Sequence, residues 1–185
     1  MVDITALFNL SYGIYLLGAH HGKKLGGCLV NTVFQLTAEP IRVGVSVAKA
    51  NQTHEFIMNS GTVAVTVMDE SADTKLLGAF GYRSGRDVEK YADIPYHLDS
   101  HNDPLIDAAA VAHLSCKVIK AVDMDTHTLF VCDVTDSYNC DCGKPMTYNY
   151  YREVKKGQSS KFAPTYVNPV ELARMKKEKE AQNNQ

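Results

Sequence analysis

The alternation of apolar and polar side chains with a period of two constrains this chain more than any other feature. Residues 41–47 read Ile-Arg-Val-Gly-Val-Ser-Val, and residues 62–67 read Thr-Val-Ala-Val-Thr-Val. Successive side chains of a β-strand point to opposite faces, so each segment predicts a strand with one covered face. The chain is therefore expected to be built mainly from strands.

The same reasoning predicts two further antiparallel pairs. Residues 114–120 and 129–134 form one pair, because residues 123–126 between them suit a hairpin connection. Residues 12–19 and 24–37 form the other pair, turned at His20-His21-Gly22. Several short antiparallel strands with two or three inserted helices favour a β-barrel.

Helical signals are fewer. Residues 51–60 predict a short helix that starts near Asn51 or Thr53 and ends at Gly61. Residues 71–80 predict a second helix, which ends at Gly81. Residues 171–185 are rich in Lys and Glu, which indicates an exposed helix with frayed ends.

Length and charge narrow the possible functions. A chain of 185 residues suits a single domain, and its formal net charge of -2 gives no reason to expect a nucleic-acid or anionic-membrane partner. No apolar stretch approaches the length of a membrane span, and the first residues lack the basic region of a secretory signal. We therefore expect a cytoplasmic protein.

The five cysteines are expected to be reduced thiols, because no secretory signal precedes them. Three of them, Cys28, Cys116 and Cys132, lie in apolar runs, where a buried structural thiol is the usual finding. Cys140 and Cys142 supply too few ligands for zinc, and the histidines lack metal-binding spacing, so no metal site is predicted. A loop is the favoured interpretation of this pair, and redox or metal sensitivity is the alternative.

Two segments are candidates for binding an anion. Lys49-Ala-Asn51-Gln-Thr53 opens a predicted helix, whose free N–H groups and positive dipole end suit a phosphate. Residues 81–90 combine two glycines with three cations, including Arg86 and Lys90, in a loop whose backbone can approach an anion closely. The alternative in each case is a solvated basic segment. The chain has no dinucleotide fingerprint, no phosphate-binding P-loop and no nucleophile elbow.

An ordered series of motifs resembles the flavin-reductase-like, FMN-binding split-barrel family, including the flavin-reductase part of high-molecular-weight rubredoxins and the flavoredoxins. The series covers nearly the whole chain, from about Leu10 to Tyr166. Its members are Gly26-Gly-Cys-Leu-Val-Asn31-Thr32-Val-Phe-Gln35, Lys49-x-Asn51-x-Thr53, Phe80-Gly-Tyr-Arg-Ser84-Gly-Arg86-Asp-Val-Glu-Lys90, Asp125-Thr-His127-Thr-Leu-Phe-Val, Pro145-Met-Thr-Tyr148, Tyr150-Tyr151-Arg152 and Ala163-Pro164-Thr165-Tyr166.

The resemblance implies a mainly β Greek-key split barrel with a few short helices, formed by residues 1–166, with residues 167–185 as a polar C-terminal tail or helix. It also implies FMN bound at the edge of a homodimer interface. The residues expected to hold FMN are Asn31, Thr32, Gln35, Lys49, Asn51, Thr53, Ser84, Arg86 and Lys90. The family analogy gives His127 a role in orienting a nicotinamide, and a histidine bonded to backbone at a hairpin end is the alternative.

Two functions follow from the resemblance. The first is an NAD(P)H-dependent flavin reductase that passes electrons to an external acceptor such as rubredoxin, free flavin or a ferric chelate. The second is a non-catalytic, flavoredoxin-type electron carrier between protein partners. High-molecular-weight rubredoxins carry a module with two C-x-x-C pairs, which these five cysteines cannot form. We therefore expect any such iron centre to lie on another protein.

Overall fold

A computed structural model describes residues 3–140 and 143–183, and it is mainly β. Within these residues there are nine strands: β1 Tyr15–His21, β2 Lys24–Val30, β3 Val33–Ala38, β4 Ile41–Ala48, β5 Thr62–Met68, β6 Tyr96–Leu98, β7 Pro104–Ile106, β8 Ala110–Met124 and β9 His127–Asn139. The α-helices are α1 Gln52–Ser60, α2 Thr74–Gly81, α3 Tyr148–Glu153 and α4 Pro169–Asn183, and a 3-10 helix spans Ile4–Asn9.

Seven strands form one antiparallel sheet in the order β2-β1-β5-β8-β9-β4-β3, while β6 and β7 form a separate pair. The two edge strands are consecutive in the chain and are joined by Asn31 and Thr32. At this junction Thr32 bonds to β4, because the Ser46 N–H donates to its carbonyl at 3.1 Å and its hydroxyl donates to the Ser46 carbonyl at 3.0 Å. The sheet therefore curls so that its two edges approach, and the split barrel expected from the resemblance is confirmed.

The alternating segments bury their apolar faces inside this barrel. Leu17, Val45, Val65 and Phe130 are each 0% exposed and belong to one hydrophobic cluster, which includes α1. A second cluster lies on the outer side of β1 and β2, where α2, α3 and β7 cover it. Each strand that contributes to both clusters is buried on two faces, which is why β1 has four consecutive buried residues.

The first helix begins and ends as expected, whereas the second begins three residues later than predicted and includes Gly81. Asn51 precedes α1, and Gly61 ends it in the left-handed conformation at φ 72°, which a glycine adopts without strain. Asp73 caps α2 by accepting a hydrogen bond from the Leu76 N–H at 2.6 Å. The predicted C-terminal helix is also present, and Val170 near its start is 78% exposed.

Two details of the predicted strands are wrong. The segment 24–37 is two strands, because the hydrogen bonds of Thr32 to β4 turn the chain from one sheet edge to the other. The first hairpin turns at Gly22 and Lys23, after His20 and His21 have paired within the sheet. Gly22 has a φ of 60°, which permits the tight turn there.

The elements that the sequence did not predict are short. They are the 3-10 helix, β6, β7 and α3, none of which exceeds six residues. Too few residues lie in each for a periodic pattern to emerge. In the described part of the chain, no helix is both long and apolar enough to cross a membrane.

Candidate functional site

A cavity of about 330 Å³ lies between β2, β4, the start of α1 and the segment that follows α2. Its floor is formed by residues 27–30 of β2 together with Ser46 and Ala48 of β4. Residues 50–53, 80–85 and 160–164 form the walls. The volume is in the range that accommodates small ligands and cofactors.

The N-terminus of α1 opens into one end of this cavity. Asn51, Gln52 and Thr53 all line it, and the Asn51 side chain makes no capping hydrogen bond to the helix. The first N–H groups of a helix have no acceptor within the helix, and a missing cap leaves them without a side-chain acceptor as well. This end of the cavity therefore presents N–H donors and the positive end of the helix dipole.

Lys90 brings a buried positive charge to the same cavity. The residue is only 8% exposed, and its ammonium donates to the carbonyl of Gly27 at 2.8 Å and to that of Phe80 at 3.4 Å. Burial lowers the pKa of Lys90, while the nearby Cys28 thiol acts in the opposite direction. Among the residues that the structure describes, no carboxylate forms an ion pair with Lys90.

Among the residues of this cavity, Lys90 most strongly indicates a site for an anion. An ammonium has three donors, and the carbonyls of Gly27 and Phe80 that accept from this one are neutral. A buried charge that lacks a counter-ion is unfavourable, and an anion entering the cavity relieves that penalty.

The loop after α2 forms one wall, and its predicted residues separate into two groups. Ser84 lines the cavity, and its hydroxyl accepts a hydrogen bond from the Arg86 N–H at 3.1 Å. The Arg86 guanidinium points elsewhere, because it donates to the carbonyl of Ala50 and to the Glu55 carboxylate, both at 3.1 Å. It therefore ties the loop to α1 and lies outside the cavity lining.

Lys49 also lies outside the lining. Its ammonium donates to the Asp123 carboxylate at 2.6 Å, and both side chains are substantially exposed. An exposed pair of this kind contributes little to stability. The structure therefore brings Asn51, Thr53, Ser84 and Lys90 together around the cavity, while Lys49 remains at its rim.

The three predicted residues around the β2–β3 junction lie beyond the other end of the cavity. Asn31 is 5% exposed, and its amide donates to the Thr165 hydroxyl at 2.8 Å, beside a small void of about 40 Å³. Thr32 does not line the cavity, but it is hydrogen-bonded to Ser46, which does. Gln35 is exposed on β3 and donates to the carbonyl of Thr37 at 3.2 Å, so it is not brought to the cavity.

His127 lies at the start of β9 beside a second, open cavity of about 700 Å³. Its Nε2 donates to the carbonyl of Phe162 at 3.1 Å, and its Nδ1 accepts from the Thr126 hydroxyl at 2.8 Å. Residues 161–164 line both cavities and separate them. The sequence left two roles open for His127, orientation of a nicotinamide or a hydrogen bond to backbone at a hairpin end. The observed bond to a backbone carbonyl agrees with the latter.

Several lining residues were not singled out from the sequence. Cys28 is buried, as predicted for a structural thiol, yet it also lines the cavity floor beside Thr53. Burial raises the pKa of Cys28, which favours the neutral thiol. Cys116 and Cys132 are buried away from the cavity, Cys140 is partly exposed, and Cys142 lies outside the described residues. Across residues 3–140 and 143–183, no cluster of His, Cys, Asp or Glu has the geometry of a metal site.

Phe162 and Pro164 were also missed as lining residues, although Pro164 belongs to one of the motifs. They lie about 70 residues beyond Lys90 in the chain and reach the cavity only because the barrel brings them there. Nothing in their local sequence signals a contact with β4.

A large antiparallel sheet that curls into a barrel and carries a few short helices is the architecture of the flavin reductase split barrels. The chain belongs to the flavin reductase family: residues 7–158 match the model described as "Flavin reductase like domain". It is an oxidoreductase of that family.

Three relatives illustrate the match. The chain is 39% identical over 166 residues to a high molecular weight rubredoxin of Moorella thermoacetica, covering 90% of this chain and 72% of that protein. It is 33% identical over 165 residues to a ferric-chelate reductase (NAD(P)H) of Archaeoglobus fulgidus, covering 89% and 98% respectively. The crystal structure of a flavoredoxin from Methanosarcina acetivorans superposes with a TM-score of 0.69 at 25% identity, covering 78% of this chain and 79% of that one.

Proposed function

We propose that this protein binds FMN and uses it to pass electrons from NAD(P)H to an external acceptor. The observation that carries the proposal is the buried Lys90, which lines the cavity without an ion-pair partner among the described residues. In a flavin reductase fold, a buried cation in the cavity favours a flavin that carries a negative charge. FMN carries that charge on its phosphate.

The cavity residues fit the two ends of FMN. Asn51, Thr53, Ser84 and Lys90 hold the phosphate end, because they combine hydroxyl and amide donors with one full charge at the N-terminus of α1. Lys49 and Arg86 add positive potential from the rim, where solvent weakens it.

The opposite end of the cavity suits the flavin ring. Its lining includes Val30 from the floor and Pro164 from the wall, which present apolar surface. The nearby Asn31 and Thr32 fix the chain where β2 passes to β3. Gln35 contributes only if the exposed edge of β3 approaches the flavin in the assembled protein. Bound FMN supplies the redox chemistry, accepting a hydride from a nicotinamide and releasing electrons to an acceptor. The protein positions the reactants and excludes competing reactions.

The nature of the acceptor also belongs to this proposal. The Archaeoglobus fulgidus relative is named for reduction of a ferric chelate, and the Moorella thermoacetica relative is a rubredoxin. We propose rubredoxin, a ferric chelate or free flavin as acceptors for this chain. The similarity to a flavoredoxin favours a second candidate, an electron carrier that exchanges electrons between proteins without oxidising a nicotinamide.

One experiment tests the FMN site and separates the two candidates. We expect the purified protein to take up one FMN per chain and to bind riboflavin more weakly, because riboflavin lacks the phosphate. Anaerobic mixing with NADH or NADPH should bleach the flavin absorbance. A protein that is colourless after incubation with FMN and removal of the unbound flavin contradicts the proposal. An FMN-loaded protein that neither nucleotide bleaches favours the carrier.

A homodimer is the second part of the proposal. Large apolar side chains are exposed on β3 and β8, within the half of the sheet ordered β8-β9-β4-β3: Phe34 at 47%, Leu36 at 41%, Ile119 at 44% and Met124 at 49%. Met124 also lines the cavity that contains His127. Exposed apolar surface of this extent is typical of an interface, and here it adjoins the candidate site.

We expect sedimentation equilibrium to give twice the 20.4 kDa mass of one chain. Phe34→Glu should shift the protein toward monomer, because it introduces a charge into an apolar interface. Leu98→Glu is the matched control, since Leu98 is equally exposed at 47% but lies on β6. A wild-type monomer that retains FMN overturns the dimer.

A further inference from the structure

Residues 158–166, which we call the strap, cross the groove in which the candidate site lies. The strap has no regular helix or strand, and it lies between the cavity that contains Lys90 and the cavity that contains His127. Ser46, Ala48 and Ala50 line both cavities. The two cavities are therefore one groove with a continuous floor, and the strap divides it.

We propose that Phe162 controls the access of the second reactant to the flavin, and that His127 holds the strap in the closed position. The proposal rests on the proposed function, because it requires a flavin in the cavity that contains Lys90.

The position of Phe162 supports the first assignment. Phe162 is 40% exposed and lines both cavities, and the Lys161 ammonium lies 5.0 Å from the centroid of its ring. A reactant in the cavity beside His127 is separated from the other cavity by this part of the strap. Direct transfer between the two requires the ring to move or the reactant to displace it.

The contacts of the strap differ at its two ends. The phenol of Tyr82 holds the first residue, Gln158, by donating to its carbonyl at 2.7 Å and accepting from its N–H at 3.0 Å. Near the other end, Asn31 donates to the Thr165 hydroxyl at 2.8 Å. Both anchors lie outside the cavity that contains His127.

Between these anchors, the middle of the strap is held by an exposed hydrogen bond from His127. The Nε2 donor bonds to the carbonyl of Phe162 itself, and the Thr126 hydroxyl fixes this tautomer by donating to Nδ1. The bond is exposed to solvent, so it breaks at a low net cost. Two fixed ends with a weak central contact allow the middle of the strap to lift while its ends stay in place.

The chain contains no tryptophan, so Phe162→Trp places a single indole on the strap. In the FMN-loaded variant we expect the oxidised nucleotides NAD⁺ and NADP⁺ to move the strap without reducing the flavin. Phe162 is 40% exposed, so release of the ring should raise acrylamide quenching of the indole about twofold. Tyr96→Trp is the matched control, because Tyr96 is 39% exposed and lies on β6.

A second variant tests the role of His127 without any nucleotide. We expect His127→Ala, combined with Phe162→Trp, to raise acrylamide quenching before a nucleotide is added, because loss of one hydrogen bond shifts the balance toward the open strap by about three- to tenfold. A histidine that only contacted the nicotinamide would leave the indole unchanged in this experiment.

The outcomes separate this inference from the proposed function. Failure to bind FMN overturns the proposed function. If FMN binds and is bleached by NADH or NADPH, while the indole at position 162 responds neither to the oxidised nucleotides nor to His127→Ala, the access role of Phe162 is overturned and the flavin site remains. Nucleotide binding is confirmed in that case by equilibrium dialysis.

Discussion

Lys90→Met is expected to lower the affinity for FMN by about 10- to 100-fold, which corresponds to the 1.5–3 kcal/mol of a hydrogen bond to a charged group. The methionine side chain is unbranched and ends one atom short of the lysine, and its thioether can pack against the Phe80 ring, over which the ammonium now lies at 5.5 Å from the centroid. It removes the buried charge at the base of the cavity. Titration of the protein with FMN, followed by absorbance, measures the loss.

Lys49→Met is the informative comparison. The sequence placed both lysines in segments that are candidates for binding an anion, but Lys49 is paired with Asp123 at the rim. Its loss should change the affinity by less than about threefold, because solvent and salt screen an exposed charge. Lys23→Met, in the exposed turn between β1 and β2, should have no effect. A greater loss at Lys49 than at Lys90 would place the phosphate at the rim.

The loss of affinity at Lys90 has to be separated from a loss of folding. The carbonyls of Gly27 and Phe80 accept hydrogen bonds from this ammonium and lose a partner in the variant. Circular dichroism at the titration temperature checks that the variant is folded. Riboflavin supplies an internal control, because its binding depends on the cavity but not on a phosphate contact.

Leu17→Ala is expected to lower the free energy of unfolding by about 2–5 kcal/mol. Leu17 is 0% exposed in β1, the strand that pairs with both β2 and β5, and it belongs to the cluster inside the barrel. Truncation removes buried apolar surface and leaves a cavity that the closed sheet cannot easily collapse around. Urea denaturation followed by circular dichroism measures the change.

Leu98→Ala is the matched control for this substitution. Leu98 is 47% exposed on β6, and we expect a change within about 0.5 kcal/mol. Protein concentration and FMN content are held equal, because a bound ligand or a partner subunit adds to apparent stability. Equal losses at the two positions would contradict the described barrel core.

The sequence predicted the strands of the barrel well wherever an alternation extended over several residues. The segments around Val45 and Val65 became β4 and β5, and the helix after Lys49 ended at Gly61. These elements depend on local rules: side-chain period, glycine at a left-handed position, and polar residues near a helix start. The division of residues 24–37 into β2 and β3 was not predicted, because it depends on hydrogen bonds from Thr32 to β4, fourteen residues away in the chain.

The candidate site was predicted in part. The motif series identified the segments that meet at the cavity, and the family match confirms the class of protein. The motif series did not distinguish Lys90 from Lys49 and Arg86, since all three are cations in polar segments. Lys90 differs from the other two because it is buried, whereas Lys49 pairs with Asp123 and Arg86 pairs with Glu55.

The sequence alone thus determined the mainly β architecture, the start and end of α1, and the two segments that are candidates for binding an anion, because each depends on neighbouring residues in the chain. Tertiary structure decided which cation is buried, that Cys28 faces the cavity, and that Phe162 and His127 meet across the groove. Those features depend on distances between residues far apart in sequence. Only the curvature of the sheet, which brings its edges and the strap together, sets these distances.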